Sequence, residues 1–247
     1  MSENNYFKFH NAVLLAPFIG VISIWSVYWL ELVLETNFNS FGVIPRNFVG
    51  LRGIFLSPFI HGSLEHLYNN TIPLAILMAA LFYFYRNVSM RVLFYGILLS
   101  GLITWGIGRP SYHIGASSLI YVLASFIFFK GVVTKYYRLV ALSLMVVFVY
   151  GSLLWYIFPI KDGISWEGHL GGFLTGLLLS VVIKARIPAP KKYVWEREDY
   201  NEEDDAFLRH FDADGNFIDF KEETLEEPQD NPIEIIYQYK KNTQVKE

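Results

Sequence analysis

Cysteine is absent from the 247 residues, which removes disulfides, thiolate metal sites, a cysteine nucleophile and cysteine lipidation together. The redox compartment is therefore unreadable from the chain. Charge is scarce as well: 17% of residues are charged against 53% hydrophobic, and the mean hydropathy is +0.32. Long uncharged runs with that balance mark an integral membrane protein of the all-α class. The net charge of −3 says little as a sum, because basic residues gather beside the apolar runs while acids collect after Tyr193. No nucleic-acid partner is expected of such a chain, and the lipid bilayer is its first partner.

Six apolar segments are predicted to span, at about residues 12–34, 64–85, 92–107, 115–129, 139–158 and 168–183. The first is too long for a signal-peptide core and no small-residue cleavage site follows it, so it is expected to be retained. Trp25, Tyr28 and Trp29 stand toward its far end as an interfacial belt would, and Glu31 and Glu35 there are expected to reach for headgroup water. Residues 36–60 are too polar to span and too apolar for a free linker, which suits an interfacial or partly embedded loop. Pro73 is expected to bend the second span. The membrane domain thus covers residues 1–187, and an acidic soluble tail covers 188–247.

Basic residues set the expected orientation. Lys8, Arg86, Arg91, Lys130, Lys135, Arg138, Lys184, Arg186, Lys191 and Lys192 fall on one side, and Arg46, Arg52, Arg109 and Lys161 on the other. Ten against four places both termini in the cytoplasm, with a bacterial inner membrane as the simplest setting. Spans two, four and six then begin at the outer face. His66 with Asn70, Ser117, and His169 lie near those three beginnings, and polar groups at such depth on different helices suggest one shared site that opens outward.

Ser117 follows the turn His113-Ile-Gly-Ala and opens a helix, where the first backbone N–H groups lack intrahelical partners and the dipole favours negative charge. A serine hydroxyl needs a base within hydrogen-bond reach, and His169 is the candidate. No acidic residue is clearly placed to orient that histidine. Tyr121, four residues after Ser117 on the same face, could support the imidazole by stacking. Gly168, Gly171, Gly172 and Gly176, the last two spaced as in a helix-packing motif, could let span six approach Ala116, Ser118, Ala124 and Ser125 on span four. Packing without chemistry is the competing reading of the same spacing. His66 and Asn70 share a helix face and could both donate to a developing oxyanion. His61 is given a structural role. No metal is expected, because the chain has no His-Glu-x-x-His pattern and no histidine pair at four-residue spacing.

The segment His61-Gly-Ser-Leu-Glu-His66-Leu-Tyr-Asn-Asn70, then Gly115-Ala-Ser117-Ser118 with Tyr121, then Gly168-His169-Leu-Gly-Gly172-Phe-Leu-Thr-Gly176, resembles the rhomboid family of intramembrane serine proteases. The resemblance covers all six spans. It implies a six-helix core, Ser117 as nucleophile, His169 as general base, and an oxyanion hole from His66, Asn70 and the Ser117 backbone N–H. Tyr121 and Gly115 would support the dyad. It also implies cleavage of transmembrane protein substrates near the outer face, with no metal or cofactor. Two departures stand out. Leu51-Arg52 replaces the Trp-Arg pair common in the family's first loop, and Ser118 follows the nucleophile where the family usually has glycine.

The expected function is therefore an intramembrane serine endopeptidase. The alternative is a non-proteolytic membrane adaptor that binds transmembrane helices and keeps the old site as packing. A small-solute transporter is disfavoured, since no charged pair lies deep in the spans and no internal repeat is evident. In the tail, Asp212-Ala-Asp214-Gly-Asn216 with Glu223 invites a calcium-loop count, but Phe217 stands where position six requires glycine, so a polar turn is expected. Natural substrate and oligomeric state are not readable from the chain.

Overall fold

A computed structural model describes residues 7–161, 163–186, 193–212 and 214–218. The chain divides into two compact units, Met1–Pro190 and Lys191–Glu247. The first is all-helical, with long helices α1 (Ala12–Val33), α2 (Leu64–Phe84), α3 (Ser89–Ile107), α4 (Ser117–Thr134), α5 (Tyr137–Tyr150) and α6 (Trp166–Val182). Five stretches are long and apolar enough to cross a membrane: α1 to α4, and α5 together with the 3₁₀ segment that prolongs it to Ile157. At 17 residues, α6 is shorter. Large apolar side chains cover the outside of these helices, including Phe18, Ile72, Phe94, Phe148 and Val181, which is the surface of an integral membrane protein.

The helices differ in how much of themselves they hide. In α4, 56% of the spanning stretch is buried, against 17% in α1, so α4 is the central helix, packed by α2, α3, α5 and α6, while α1 lies against α2. Its largest interface is with α6, and glycine makes that approach possible. A Cβ on Gly172 would collide with the Ser118 carbonyl oxygen, and one on Gly176 would lie 2.7 Å from Ser125 Cβ and 2.8 Å from the Phe126 nitrogen. Backbone therefore meets backbone. Ser125 Oγ adds a hydrogen bond across the contact, donating to the Phe173 carbonyl at 2.7 Å.

The helix α4 runs on past Phe129 to Thr134, and Lys130 lies inside it, 6% exposed, rather than in a basic loop. The reason is a ready set of acceptors. Its Nζ donates to the Ser180 and Ile183 carbonyls at 2.8 and 2.6 Å, the unfilled oxygens at the end of α6. Glu31 also departs from expectation: it is 6% exposed, and its Oε1 accepts the Phe38 N–H at 2.6 Å to close the turn after α1.

Residues 39–59 form short helical turns held against the bundle. Gly50 and Gly53 press on the backbone of Ile44 and Gly42, where any side chain would collide. Arg46 donates to the Gly106 and Gly108 carbonyls at 3.2 and 2.9 Å, capping α3. Phe48, Val49 and Phe55 point outward, so the loop offers lipid an apolar face while its own polar groups are satisfied inward. The isolated bridge between Val43 and His113 fastens this loop to the one that leads into α4.

The second unit is described over only part of its length. It contains short 3₁₀ turns at Val194–Glu196, Glu202–Asp204 and Leu208–His210 and a bridge from Phe211 to Phe217. Between them, Asp212 accepts the backbone N–H groups of Asp214 and Asn216 at 3.0 and 2.8 Å, a polar turn. Glu223 lies outside the described residues, as do Pro188, Pro190, Lys191 and Lys192.

Candidate active site

Ser117 is the first residue of α4. The preceding Ala116 offers no side-chain cap, and among the described residues the Ser117 N–H has no hydrogen-bond partner. A donor at a helix N-terminus is thus left open beside the hydroxyl. Gly115, two residues earlier, adopts φ +105°, a conformation that favours glycine, and its N–H donates to the Ser57 carbonyl at 2.9 Å. A Cβ there would lie 2.6 Å from His66 Nε2 and 3.7 Å from Asn70 Nδ2. The glycine is therefore what lets the His66 ring close on residue 115, whereas the Asn70 amide would be in ordinary contact with a side chain there.

The cap of α2 fixes that pair. Ser63 Oγ accepts the His66 N–H at 3.1 Å, starting the helix. One hydrogen of the Asn70 amide goes to the His66 carbonyl at 3.0 Å, which leaves its second N–H available. Asn70 is buried and His66 half-buried.

His169 projects from the first turns of α6 onto α4. Its ring stacks on Tyr121, with centroids 4.3 Å apart and 11° between the planes. Tyr121 is held in turn by its hydroxyl, which donates to the Leu153 carbonyl at 2.6 Å. His169 Nδ1 lies 3.0 Å from the Tyr156 carbonyl. A carbonyl only accepts, so Nδ1 bears the proton and Nε2 keeps its lone pair. That is the tautomer a general base needs. Tyr121 sits one helical turn from Ser117, so the stacked imidazole lies beside the serine; no Ser117–His169 hydrogen bond forms among the described residues. Such bonds commonly tighten only around a substrate.

Ser118 turns away from His66 and Asn70 toward α6, its Oγ lying 2.7 Å from where a Gly168 Cβ would be. It helps to line a cavity of about 10 Å³ with Ser57, Ser100, Thr104, His113 and Ser165. That is room for about one water, and the polar lining would keep it wet. Among the described residues no group of three or more potential ligand side chains could hold a metal ion.

His61 sits behind the oxyanion side, its ring centroid 5.0 Å from that of His66. Its Nδ1 is 3.3 Å from the Phe59 carbonyl, so Nε2 faces the Ala116 N–H, at 3.5 Å. Burial first, and the neighbouring His66 second, pull its pKa from 6.5 to about 4. An unfolded chain takes up the proton near 6.5 and the folded one only near 4, so stability should fall as pH drops through that window. The open cleft of about 450 Å³ beside His61 gives protons a route. Unfolding midpoints in detergent should fall from pH 6.5 to 4, with a shallower slope in His61→Gln; equal slopes would show that His61 contributes none of it.

Four residues that the sequence does not mark as part of the site form a polar cluster near His169: Arg109, His113, Ser165 and Glu167. Glu167 is 1% exposed and Arg109 Nε lies 3.2 Å from its Oε1. A glutamate in a polar turn two residues before His169 was the available signal; its burial was not visible from the turn's composition. The Tyr156 carbonyl had no signal, since any residue supplies one.

Comparison with known proteins places a Rhomboid domain over residues 50–186. The uncharacterized protein Rv1337 of Mycobacterium tuberculosis is 34% identical over 173 residues, 64% of this chain and 71% of that protein. The uncharacterized protein ML1171 of Mycobacterium leprae is 32% identical over 147 residues, 55% of this chain and 57% of that one.

Proposed function

The chain belongs to the rhomboid family, and from that premise we propose that it is an intramembrane serine endopeptidase with Ser117 as nucleophile and His169 as base. The observation that supports this most is the His169 ring, held by Tyr121 on one face and by the Tyr156 carbonyl at Nδ1, so that Nε2 is left unprotonated on a ring stacked one helical turn along α4 from Ser117.

In this reading Nε2 takes the Ser117 hydroxyl proton as Oγ attacks the scissile carbonyl carbon. The carbonyl oxygen becomes an oxyanion, received by the Ser117 N–H, the second Asn70 N–H and the His66 ring. Collapse breaks the C–N bond, and the imidazolium returns its proton to the leaving amine. Water then gives a proton to Nε2 and its hydroxide equivalent to the acyl carbon; the carboxylic acid leaves and Oγ regains the proton. Asn70→Ala removes one oxyanion donor and should lower kcat by about 10²–10³-fold with little change in KM, read by steady-state cleavage. A raised KM with kcat unchanged would give Asn70 to substrate binding instead.

The substrate class is a transmembrane protein whose helix unwinds near the outer face, since intact helical hydrogen bonds shield the scissile carbonyl. In this arrangement α6 is the sixth crossing. With Lys130 drawn into the bundle, nine basic residues against four still favour cytoplasmic termini. The test uses purified full-length protein in detergent: labelling by a fluorophosphonate, then cleavage of a reconstituted single-span substrate. A folded sample that does neither, beside a labelled control hydrolase, would sink the protease reading in favour of an adaptor.

A further inference from the structure

The 108–116 loop delivers the chain into Ser117, and residues 164–167 deliver it into His169. Two polar links join these segments. Arg109 donates from its backbone N–H and its Nε to the same Glu167 oxygen, at 3.1 and 3.2 Å, and its guanidinium also donates to the Ile164 carbonyl. His113 donates from Nε2 to the Arg109 carbonyl at 3.1 Å and accepts at Nδ1 from Ser165 Oγ at 2.6 Å. Ser165 Oγ in turn accepts the Gly168 N–H at 3.2 Å and so caps α6. Every assigned proton in this chain of bonds is compatible with a neutral His113.

Glu167 is the unusual member. Its carboxylate is almost wholly buried, and among the described residues Oε2 has no hydrogen-bond partner. A half-satisfied buried carboxylate costs stability relative to an apolar side chain, so packing alone gives no reason for it. Its place on the helix does. Residues two apart lie about 200° around an α-helix, so Glu167 grips the loop on one side while His169 rests on Tyr121 on the other. A turn of about 20° about the α6 axis would carry a side-chain tip about 2 Å, enough to part base from nucleophile. The glycine contacts lower down set the distance between α4 and α6, and the Glu167–Arg109 link lies nearer the His169 end.

We propose that Glu167, held by Arg109, is a positioning residue that fixes the rotation of α6 and with it the register of His169 against Ser117. The proposal rests on the dyad reading above. Its test measures kinact and KI for a fluorophosphonate with full-length protein, alongside the melting temperature and the ¹³Cε1 signal of His169 in histidine-labelled samples. Glu167→Gln keeps an oxygen for the Arg109 N–H and loses the ion pair, which keeps the variant folded where Glu167→Ala fails. It should lower kinact about tenfold, with KI and melting temperature unchanged, and should move or broaden the His169 signal. Arg109→Met should do the same, and the double variant should be no worse than either alone. Wild-type kinact in Glu167→Gln, losses that multiply in the double variant, or a loss matched by a lower melting temperature would overturn the proposal. If wild-type protein does not label at all, the dyad reading fails, and an unmoved His169 signal would then overturn the positioning role separately.

Discussion

Ser117→Ala is expected to abolish fluorophosphonate labelling, and His169→Ala to lower it by about 10⁴-fold or more while the protein stays folded. The reagent forms its bond with Oγ, so nothing else in the site can stand in for Ser117. His169 should be nearly as costly to lose, because in the proposed mechanism its Nε2 is the base and the two residues act as a unit. The fold should survive both changes: Ser117 makes no side-chain hydrogen bond among the described residues, and the His169 imidazole gives up one, to the Tyr156 carbonyl in the 3₁₀ segment after α5. Mass spectrometry of the labelled peptide checks the first outcome and stopped-flow or gel labelling rates the second. Undiminished labelling in Ser117→Ala would move the nucleophile elsewhere.

Gly172→Ala is expected to cost about 10²-fold in rate, although residue 172 touches no reacting atom. The added methyl would meet the Ser118 carbonyl and lie 2.8 Å from Tyr121 Cβ. Neither is the far end of a flexible side chain, so the helices themselves must part. Overpacking of this kind costs about 1–3 kcal/mol, and a displacement of about 1 Å in a catalytic pair can cost 10²-fold. Gly106→Ala is the control, since nothing lies within 4 Å of its Cβ position and it should label like wild type. Equal rates for Gly172→Ala and wild type would mean that the α4–α6 spacing does not govern the dyad.

Period and spacing reveal some of this arrangement and are blind to the rest. The four-residue step from Ser117 to Tyr121 puts both on one face of a helix whatever surrounds it, and the structure has His169 on that face. Glycines at 172 and 176 likewise fall on one line, because the interval is local. Lys130 is different. By composition a lysine after Phe129 ends an apolar run, and only the distant carbonyls of Ser180 and Ile183 let the helix continue through it. Glu167 fails to show for the same reason: its partner Arg109 is 58 residues away. Glu31 looked outward because its acceptor role depends on a turn at Phe38 that no periodicity describes. What the sequence hides in each case is a polar group satisfied by a partner off the helical period, across the bundle for Lys130 and Glu167 and within a turn for Glu31.

Lys130 also has a consequence for biogenesis. A lysine in an apolar helix resists entry into lipid by about 2.5–3.5 kcal/mol at the helix centre and less near an end. Its acceptors, Ser180 and Ile183, are synthesised about 50 residues later. During synthesis the Lys130 end of α4 therefore lacks these partners until α6 follows and supplies those oxygens. Docking of α6 on α4 becomes the step that locks the bundle, and it is the same step that stacks His169 on Tyr121. If Ser117 and His169 form the proposed dyad, a nascent chain short of α6 carries the nucleophile without its base, and reactivity arises only once the bundle has closed.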